Sequence, residues 1–228
     1  MKNKFTEITK KMNISKILKE NKRFWKKCFA DSNFDFKLSP CENILEIIDR
    51  LKKYQAHKVL DLGCGFGRWI VALAQAGFQV KAVDISSEAI KKVQKWAEEE
   101  GLSIKTQVCS AQELVSENES LDAIICNSVL DHMPLAEAYK SMLNIKNVLK
   151  PGGIAYISFD GLEEDPKEFV LLNDGTRRYI SGKRKGMLWR FYNDEEIKNL
   201  CEKMEILEFR VKRNGKREIW VRKKKNAE

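Results

Sequence analysis

Apolar and polar positions recur along this chain with two different periods. Short apolar runs rich in β-branched residues, typical of buried strands, are separated by segments in which apolar residues recur every three or four positions, as in helices. The predicted strands are 58–62, 79–83, 104–108, 121–126, 154–159, 205–211 and 217–223. Strands and helices that follow one another in this way predict an α/β fold, with a mostly parallel sheet covered by helices on both faces.

The last two predicted strands differ from the others because only a short turn joins them. Asn214 and Gly215 lie between them, and this dipeptide is a strong signal for a hairpin turn. The sequence therefore predicts a Rossmann-like, doubly wound sheet of seven strands that is closed by a C-terminal antiparallel hairpin.

Two segments stand outside this alternation. Residues 1–38 carry apolar side chains at helical spacing among lysines, which predicts an amphipathic N-terminal helical extension. Ser39, Pro40 and Glu42 then form the signature of a helix start, with Ser39 as N-cap. No linker or repeat divides the rest, so residues 39–228 are predicted to form one domain, with an insertion at about 161–192 that is too long for a simple connection.

Composition places the chain among globular proteins. Of its 228 residues 43% are hydrophobic, and no apolar run approaches the roughly 18 residues that span a bilayer. The basic N-terminus lacks the apolar core of a secretory signal, so we expect a cytoplasmic protein that does not enter the membrane. The six cysteines occur singly, without histidines at metal-ligand spacing, which predicts reduced thiols and no metal site.

The net charge of +9 raises the question of a nucleic-acid partner. The excess of lysine and arginine lies in residues 1–38 and 201–228, whereas residues 39–200 hold 21 basic and 24 acidic side chains. Solvated basic termini explain this distribution, and so does a surface that contacts phosphates or another acidic partner. The sequence alone leaves both interpretations open.

A glycine-rich segment connects the first predicted strand to the next helix. Gly63, Gly65 and Gly67 follow Asp61 at alternate positions, where a tight turn would bring the backbone N–H groups of a helix start towards a ligand. The spacing differs from the Gly-x-Gly-x-x-Gly of dinucleotide-binding proteins, and no Lys-Ser/Thr pair follows, as it does in a P-loop.

With Asp61 before these three glycines, the chain resembles the class I S-adenosylmethionine-dependent methyltransferases, whose first motif is an acidic residue followed by Gly-x-Gly-x-Gly. Asp84, at the end of the second predicted strand, stands where a carboxylate can bind ribose hydroxyls in a Rossmann-like domain. Residues 149–153 match the Leu-x-Pro-Gly-Gly turn of the family. The Gly-Cys-Gly-x-Gly-Arg form of the first motif is similar to that of a branch of small-molecule methyltransferases.

The resemblance implies S-adenosylmethionine as the cofactor and S-adenosylhomocysteine as its product. Ile85 would pack on the adenine ring, and the turn after the third strand would contact the adenine edge, with Ser110 where the family usually has an acidic or amide side chain. The residues expected to bind the cofactor are Asp61, Gly63, Cys64, Gly65, Gly67, Arg68, Asp84, Ile85, Ser110, Ala111 and Asn127.

The segment after the fourth predicted strand borders the transferred methyl group in the family. Residues 127–130 read Asn-Ser-Val-Leu, unlike the Asn/Asp-Pro-Pro-Tyr of enzymes that methylate adenine or glutamine nitrogens, and the Pro-Cys nucleophile of cytosine-C5 enzymes is missing. His132 follows, and it is a candidate for a base that deprotonates the acceptor or for a residue that orients this loop. An acceptor that is already nucleophilic needs no base.

The acceptor is expected to meet the insertion, where arginines and lysines are interleaved with aromatic residues between Asp174 and Tyr192. Such a segment over the cofactor predicts a lid for an anionic or aromatic acceptor, and a solvated connecting loop is the alternative. In the family an N-terminal extension often covers the substrate pocket, so residues 1–38 are a second candidate cover. The expected acceptor residues are Arg177, Tyr179, Arg184, Trp189, Arg190 and Tyr192.

Three functional hypotheses follow. The first is a methyltransferase that acts by SN2 displacement on O, N or S of a small molecule. The second is an RNA or tRNA methyltransferase that uses the basic termini and the segment from Arg177 to Arg190 to contact phosphates. The third is a protein that binds the cofactor, or a partner, without catalysis.

Overall fold

The computed structural model describes residues 13–31, 43–114, 118–162 and 168–225, so the predicted N-cap Ser39 lies outside the described residues. The helices are α1 (Ile14–Ala30), α2 (Ile44–Lys53), α3 (Arg68–Gln75), α4 (Ser87–Glu99), α5 (Leu135–Val148) and α6 (Asp194–Leu200). The strands are β1 (Lys58–Leu62), β2 (Gln79–Asp84), β3 (Ile104–Val108), β4 (Leu121–Asn127), β5 (Leu149–Phe159), β6 (Phe169–Leu171), β7 (Arg177–Tyr179), β8 (Leu188–Trp189), β9 (Glu205–Val211) and β10 (Arg217–Arg222). None of the described helices has the length and apolar character needed to cross a bilayer.

Seven strands form one sheet in the order β3-β2-β1-β4-β5-β10-β9. Neighbours pair in parallel except at β10, which runs antiparallel to both β5 and β9. The predicted doubly wound, mostly parallel sheet with a C-terminal antiparallel hairpin is therefore confirmed. Because β1 to β5 are parallel, their carboxyl ends share one edge of the sheet, where ligands of such folds bind.

Apolar side chains of the central strands fill a core on each face of the sheet. Leu60, Leu62 and Ile124 point into the core that α5 and α6 cover, whereas Val59 and Ile125 point into the core that α2, α3 and α4 cover. Successive side chains of a strand point to opposite faces, so a strand between two helical layers must be apolar throughout.

β5 begins earlier than the sequence predicts. The Pro-Gly-Gly segment at 151–153 was expected to form a turn before this strand, but it lies within the strand. The pairing of β4 with β5 is irregular between Leu121 and Ala123, and this irregularity accommodates the additional residues.

The described part of the insertion, residues 168–192, contains a second, small antiparallel sheet in the order β6-β7-β8. Its core consists of Tyr179, Met187 and Trp189, and Phe24 and Trp25 of α1 pack against it. The segment for which a lid or a solvated loop was predicted thus holds ordered strands that rest on α1.

The start of α5 is capped by a residue far away in the sequence. Pro134 precedes this helix and has no side chain that can accept a hydrogen bond, and the N–H of Leu135 donates to Asp174 Oδ2 at 2.7 Å. Asp174 Oδ1 also accepts a hydrogen bond from Thr176 N at 3.0 Å. The insertion therefore stabilises a helix that packs on the main sheet.

We expect Asp174→Ala to lower the free energy of unfolding by about 1 kcal/mol, the usual cost of losing a helix cap. Burial acts to raise the pKa of Asp174, but hydrogen bonds from Thr176 and Leu135 outweigh it and leave this pKa below its ordinary value. The contribution of the carboxylate is therefore present at neutral pH and is lost as the pH falls through that lowered pKa. Urea unfolding of the wild type and of Asp174→Ala, at neutral and at acidic pH, measures the difference between their free energies of unfolding.

Asp49→Ala, at an exposed position of α2, is the matched control and should change the free energy of unfolding by less than about 0.5 kcal/mol. A difference between Asp174→Ala and the wild type that persists undiminished in acid would contradict the assigned role.

Candidate functional site

The glycine loop between β1 and α3 bends sharply over the end of β2. The N–H groups of Gly63 and Cys64 both donate to the carbonyl oxygen of Val83, at 2.7 and 3.0 Å. Gly63 has a φ of +78°, and a Cβ at this position would overlap Cγ2 of Val129. Both the backbone conformation and the loop after β4 therefore exclude a side chain here.

Asp84, the last residue of β2, ties this loop to the start of α4. Its Oδ2 accepts a hydrogen bond from Gly65 N at 2.9 Å, and its Oδ1 accepts one from Ser86 N at 2.8 Å. Burial raises the pKa of Asp84, although these hydrogen bonds favour the charged form and limit the rise. Each carboxylate oxygen has a second lone pair, so Asp84 can still accept hydrogen bonds from a ligand in the cavity that it lines.

Asp61 lies on β1 just before the glycine loop and is only 3% exposed. Its Oδ2 has no hydrogen-bond partner among the described residues. Burial raises the pKa of Asp61 to about 8, and the negative charge of Asp84 adds to the rise. A buried polar atom without a partner is costly, so this oxygen marks a place where a ligand would donate a hydrogen bond or bring a positive charge.

Two adjoining cavities open between the strand ends and α1. The smaller is walled by the ends of β1 to β4 on one side and by α1 on the other, and the larger extends from the glycine loop to α1 and the small sheet. Both cavities are lined by Trp25, Phe29, Gly63, Ser128 and His132. They therefore form one continuous site.

Most of the residues predicted to bind a cofactor border this site. Those that line the smaller cavity are Gly63, Asp84, Ile85, Ser110 and Ala111, and those that line the larger are Asp61, Gly63, Cys64, Gly65, Arg68 and Asn127. Gly67 precedes the first residue of α3 and lines neither cavity. Ser110 stands where an acidic side chain was expected, and its Oγ donates to Glu113 Oε2 at 2.6 Å, so a carboxylate lies next to this position.

His132 lines both cavities, and its ring is held on two sides. Nδ1 lies 3.0 Å from the carbonyl oxygen of Leu188. Because a carbonyl oxygen can only accept, Nδ1 carries a proton, and in the neutral ring Nε2 then has the lone pair. The ring of Trp25 packs edge-on against the imidazole, with ring centroids 4.8 Å apart. The structure therefore presents an imidazole whose Nε2 can accept a proton.

Two carboxylates lie close to His132. Asp131, His132 and Asp160 each place one side-chain ligand atom within 4.8 Å of the others. Asp131 is fully buried, and its Oδ2 accepts a hydrogen bond from the backbone N–H of Asp160 at 2.9 Å. These are the acidic groups that a protonated His132 would face.

The residues predicted to contact an acceptor divide into two groups. Tyr179 lines the larger cavity, whereas the positions that line neither cavity are Arg177, Arg184, Trp189, Arg190 and Tyr192. Trp189 is buried in the core of the small sheet, and Arg177 lies over the rings of Phe169 and Trp189. Arg190 pairs with Glu196 at 2.5 Å. The five residues of the second group therefore stand outside the lining of both cavities, and their contact with an acceptor stays a prediction.

The larger cavity has basic and aromatic walls, and most of these residues belong to the glycine loop, the N-terminal extension and the insertion that the sequence singled out. Its basic residues are Arg23, Lys27, Arg68, Arg178, Lys183 and Lys185, its acidic residues are Glu20, Asp31 and Asp61, and its aromatic residues besides Trp25 and Phe29 are Phe24, Phe66, Trp69 and Tyr179. Arg178 and Tyr179 line the cavity, whereas their neighbour Arg177 does not. The sequence of a strand with two adjacent arginines does not indicate which arginine points towards a ligand.

Asn21 of α1 joins three parts of the site and was not singled out by the sequence. Its Nδ2 donates to the carbonyl oxygen of His132 at 2.9 Å, and its Oδ1 accepts a hydrogen bond from Leu188 N at 3.1 Å. The side chain is buried. One amide group thus holds α1, the loop after β4 and β8 together.

Comparison with known proteins adds to this geometry. A family model described as a methyltransferase domain matches residues 59–153. The ubiquinone biosynthesis O-methyltransferase of Actinobacillus pleuropneumoniae (serotype 5b, strain L20) is 30% identical to the chain over 156 residues, which cover 65% of each protein. The chain thus spans just under two thirds of the length of that curated relative.

Solved structures with the same fold include two methyltransferases. The 1,6-didemethyltoxoflavin-N1-methyltransferase of Burkholderia thailandensis, with bound 1,6-didemethyltoxoflavin and S-adenosylhomocysteine, has a TM-score of 0.70 at 19% identity, and the match covers 94% of this chain and 92% of the other. A SAM-dependent methyltransferase of Methanosarcina mazei has a TM-score of 0.67 at 23% identity, with 83% of this chain and 100% of the other covered. At these identities the likeness shows the fold.

We expect Asn21→Ala to lower the free energy of unfolding by about 1 to 3 kcal/mol, because the N–H of Leu188 and the carbonyl oxygen of His132 lose their partner. The substitution should also loosen α1 over the cavities, so amide hydrogen exchange in residues 14–30 should become faster than in the wild type. Lys22→Ala, at the next and exposed position of the helix, is the control. Equal exchange in Asn21→Ala and the wild type would contradict the role of Asn21.

Proposed function

Because this chain belongs to the class I S-adenosylmethionine-dependent methyltransferases, we propose that it transfers a methyl group from S-adenosylmethionine to a hydroxyl oxygen of a small, anionic aromatic molecule. The observation that carries the proposal is that His132 and Ser128 line both cavities. A methyl donor with its adenosine part in the smaller cavity and its methionine part at Asp61 would meet an acceptor in the larger cavity beside His132. The choice of oxygen follows the O-methyltransferase relative from Actinobacillus.

The side chains around the smaller cavity fit S-adenosylmethionine, which supplies a methyl group activated by the positive charge on its sulfur. Asp84 offers carboxylate lone pairs to the ribose hydroxyls, and Ile85 offers an apolar surface to the adenine ring. Asp61 lines the adjoining larger cavity, and its unpartnered Oδ2 fits the ammonium group of the methionine part, because that group brings the positive charge that a buried carboxylate needs.

The charges around the larger cavity favour an anionic acceptor. Six basic side chains line this cavity against three acidic ones. Glu20 and Arg178 pair at 2.6 Å, which leaves five basic side chains against Asp31 and Asp61. Asp61, with a pKa of about 8, is mostly protonated at neutral pH in the free protein, and its charge in the complex would be balanced by the ammonium group of the cofactor. An acidic group on an aromatic ring would therefore meet both an excess of positive charge and the aromatic surfaces that interleave with it.

His132 is placed to accept the proton of the acceptor hydroxyl. Its Nδ1–H is anchored to the carbonyl oxygen of Leu188, so the ring orientation is fixed and Nε2 is the basic atom. A general base of this kind accelerates a reaction by about 10²–10⁴-fold. The remaining acceleration of the reaction comes from alignment of the reacting atoms and from exclusion of water. Trp25 and Phe29 of α1 form an apolar wall that excludes water.

The surroundings of the arginines in the insertion favour a small molecule over RNA. Arg177 and Arg184 lie over aromatic rings, and Arg178 is paired with Glu20. A phosphate-binding surface needs cations that reach outwards to a nucleic acid. The contacts of these arginines are made within the protein.

Isothermal titration with S-adenosylhomocysteine tests the cofactor site. We expect binding that weakens about tenfold or more in Asp84→Ala, because a charge-assisted hydrogen bond contributes about 1.5 to 3 kcal/mol. Asp61 is mostly protonated at pH 7, and a bound ammonium group would lower its pKa, so binding should release a proton and should strengthen as the pH rises towards about 8. The measured enthalpy should therefore depend on the ionisation enthalpy of the buffer.

Asp61→Asn removes the ionisable group and should remove this buffer dependence, whereas Asp49→Asn, at an exposed position of α2, should retain it. Absence of binding heat at high micromolar S-adenosylhomocysteine would refute the cofactor assignment.

Methyl transfer is tested with labelled S-adenosylmethionine and, in separate reactions, a small-molecule extract and bulk tRNA. We expect label in the small molecules, and faster methylation of 4-hydroxybenzoate than of the neutral 4-methylphenol. His132→Gln should lower kcat by about 10²–10⁴-fold and leave the affinity for S-adenosylhomocysteine unchanged.

His57→Gln is the matched control, because His57 is exposed and precedes β1 at the opposite edge of the sheet. Label in tRNA alone would favour the RNA hypothesis, and full turnover by His132→Gln would exclude the base.

A further inference from the structure

The turn between β9 and β10 brings a lysine to the segment that follows β4. Lys216 Nζ donates to Asn127 Oδ1 at 3.0 Å and to Ser128 Oγ at 3.2 Å. Asn127 lines the larger cavity and Ser128 lines both. A side chain of the hairpin therefore stands directly behind the edge where donor and acceptor would meet.

The hydrogen bonds behind Asn127 use its oxygen. Besides Lys216, Ser158 Oγ donates to Asn127 Oδ1 at 2.8 Å, and the same Oγ accepts a hydrogen bond from Ser128 N at 3.0 Å. An ammonium group can only donate, so the amide oxygen must be the atom that faces Lys216. The amide nitrogen of Asn127, with its two N–H donors, is then the atom that is left to bind a ligand in the cavity.

Ser128 is held in a strained conformation by the same network. Its φ is +52°, which residues other than glycine rarely adopt. Its Oγ donates to Asp160 Oδ1 at 2.7 Å, and Lys216 Nζ lies 3.9 Å from that carboxylate oxygen. Strain of this kind persists where the surroundings fix a residue from several sides, and it concentrates at functional sites.

Gly161, two residues after β5, lets the hairpin come this close. A Cβ at Gly161 would overlap the carbonyl oxygen of Asn214 and would lie 2.8 Å from the carbonyl carbon of Gly215. Both are backbone atoms of the hairpin turn, so no change of side-chain rotamer could relieve the overlap. A side chain at Gly161 would therefore push the turn, and Lys216 with it, away from Asn127.

We propose that Lys216 is a positioning residue of the acceptor site, which fixes Asn127 so that its amide N–H groups donate to an oxygen atom of the acceptor. The ligand class is a molecule that carries a carboxylate or carbonyl oxygen in addition to the atom that is methylated. The inference rests on the proposed methyltransferase function and adds a residue that selects the acceptor.

The first test needs no ligand. The side-chain amide resonances of Asn127, identified by their loss in Asn127→Asp, should shift in ¹⁵N NMR spectra of Lys216→Met and Gly161→Ala, because Oδ1 loses a charge-assisted hydrogen bond. They should stay in place in Arg213→Gln, which removes a neighbouring exposed charge from the same hairpin. If Gly161→Ala fails to fold, Lys216→Met alone decides this test.

The second test uses 4-hydroxybenzoate as the probe, titrated into the protein saturated with S-adenosylhomocysteine. Its affinity should fall about fivefold or more in Lys216→Met and Gly161→Ala, and Lys216→Arg should recover part of the loss. Asn127 is also among the residues expected to bind the cofactor and lines the same cavity as Asp61 and Gly65. The affinity of each variant for S-adenosylhomocysteine alone is therefore measured in parallel, and the loss of affinity for 4-hydroxybenzoate should exceed any loss for S-adenosylhomocysteine by about fivefold or more.

Unmoved Asn127 resonances in Lys216→Met would overturn the positioning role. Two results would overturn the claim that Lys216, through Asn127, affects acceptor binding. One is a shift of the resonances with unchanged affinity for 4-hydroxybenzoate, and the other is a wild type that binds S-adenosylhomocysteine but not this probe. If the wild type binds no S-adenosylhomocysteine, the methyltransferase proposal fails, and the NMR spectra still decide whether Lys216 positions Asn127.

Discussion

Two hydrogen bonds to one carboxylate hold the site together. Asp84 accepts hydrogen bonds from the N–H groups of Gly65 and Ser86, so the loop after β1 and the turn after β2 are fixed relative to each other. This contact depends on the parallel register in which Asp61 lies opposite Ala82, because that register brings the ends of both strands level. The sheet side of the smaller cavity follows from this arrangement, because the buried Asp84 also lines that cavity.

The features that the sequence predicts are those with a local signal. Strand and helix periods predict the sheet, and Asn214 and Gly215 predict the hairpin that β9 and β10 form. The residues proposed to bind the cofactor could be brought together from the sequence because parallel strands place the loops after them at one edge, whatever the packing of the helices.

The acceptor side lacked such signals. Asp174 caps α5 from 39 residues away, and Lys216 reaches Asn127 from 89 residues away. Contacts of this kind depend on how the insertion and the hairpin pack, and no spacing along the chain encodes them. The same holds for Arg177 and Arg178, whose different surroundings follow from the orientation of a strand that only the three-dimensional fold defines.

α1 is attached to the protein largely through groups that also line the site. Asn21 binds the backbone at His132, Trp25 packs on the ring of His132, and Phe29 packs on Phe66 with ring centroids 4.9 Å apart. Ligands that fill the cavities would therefore complete the packing of α1, and the order of this helix and the occupancy of the site are thermodynamically linked.

The place of β10 in the sheet determines what holds Lys216 against the loop after β4. β9 joins the sheet only through β10, so opening of β10 from β5 would release both strands. A molecule in which β10 has opened would keep the pairing of the five parallel strands, yet Lys216 would lose its contacts with Asn127 and Ser128. With Lys216 as the proposed positioning residue, such an opening would impair methyl transfer more than cofactor binding.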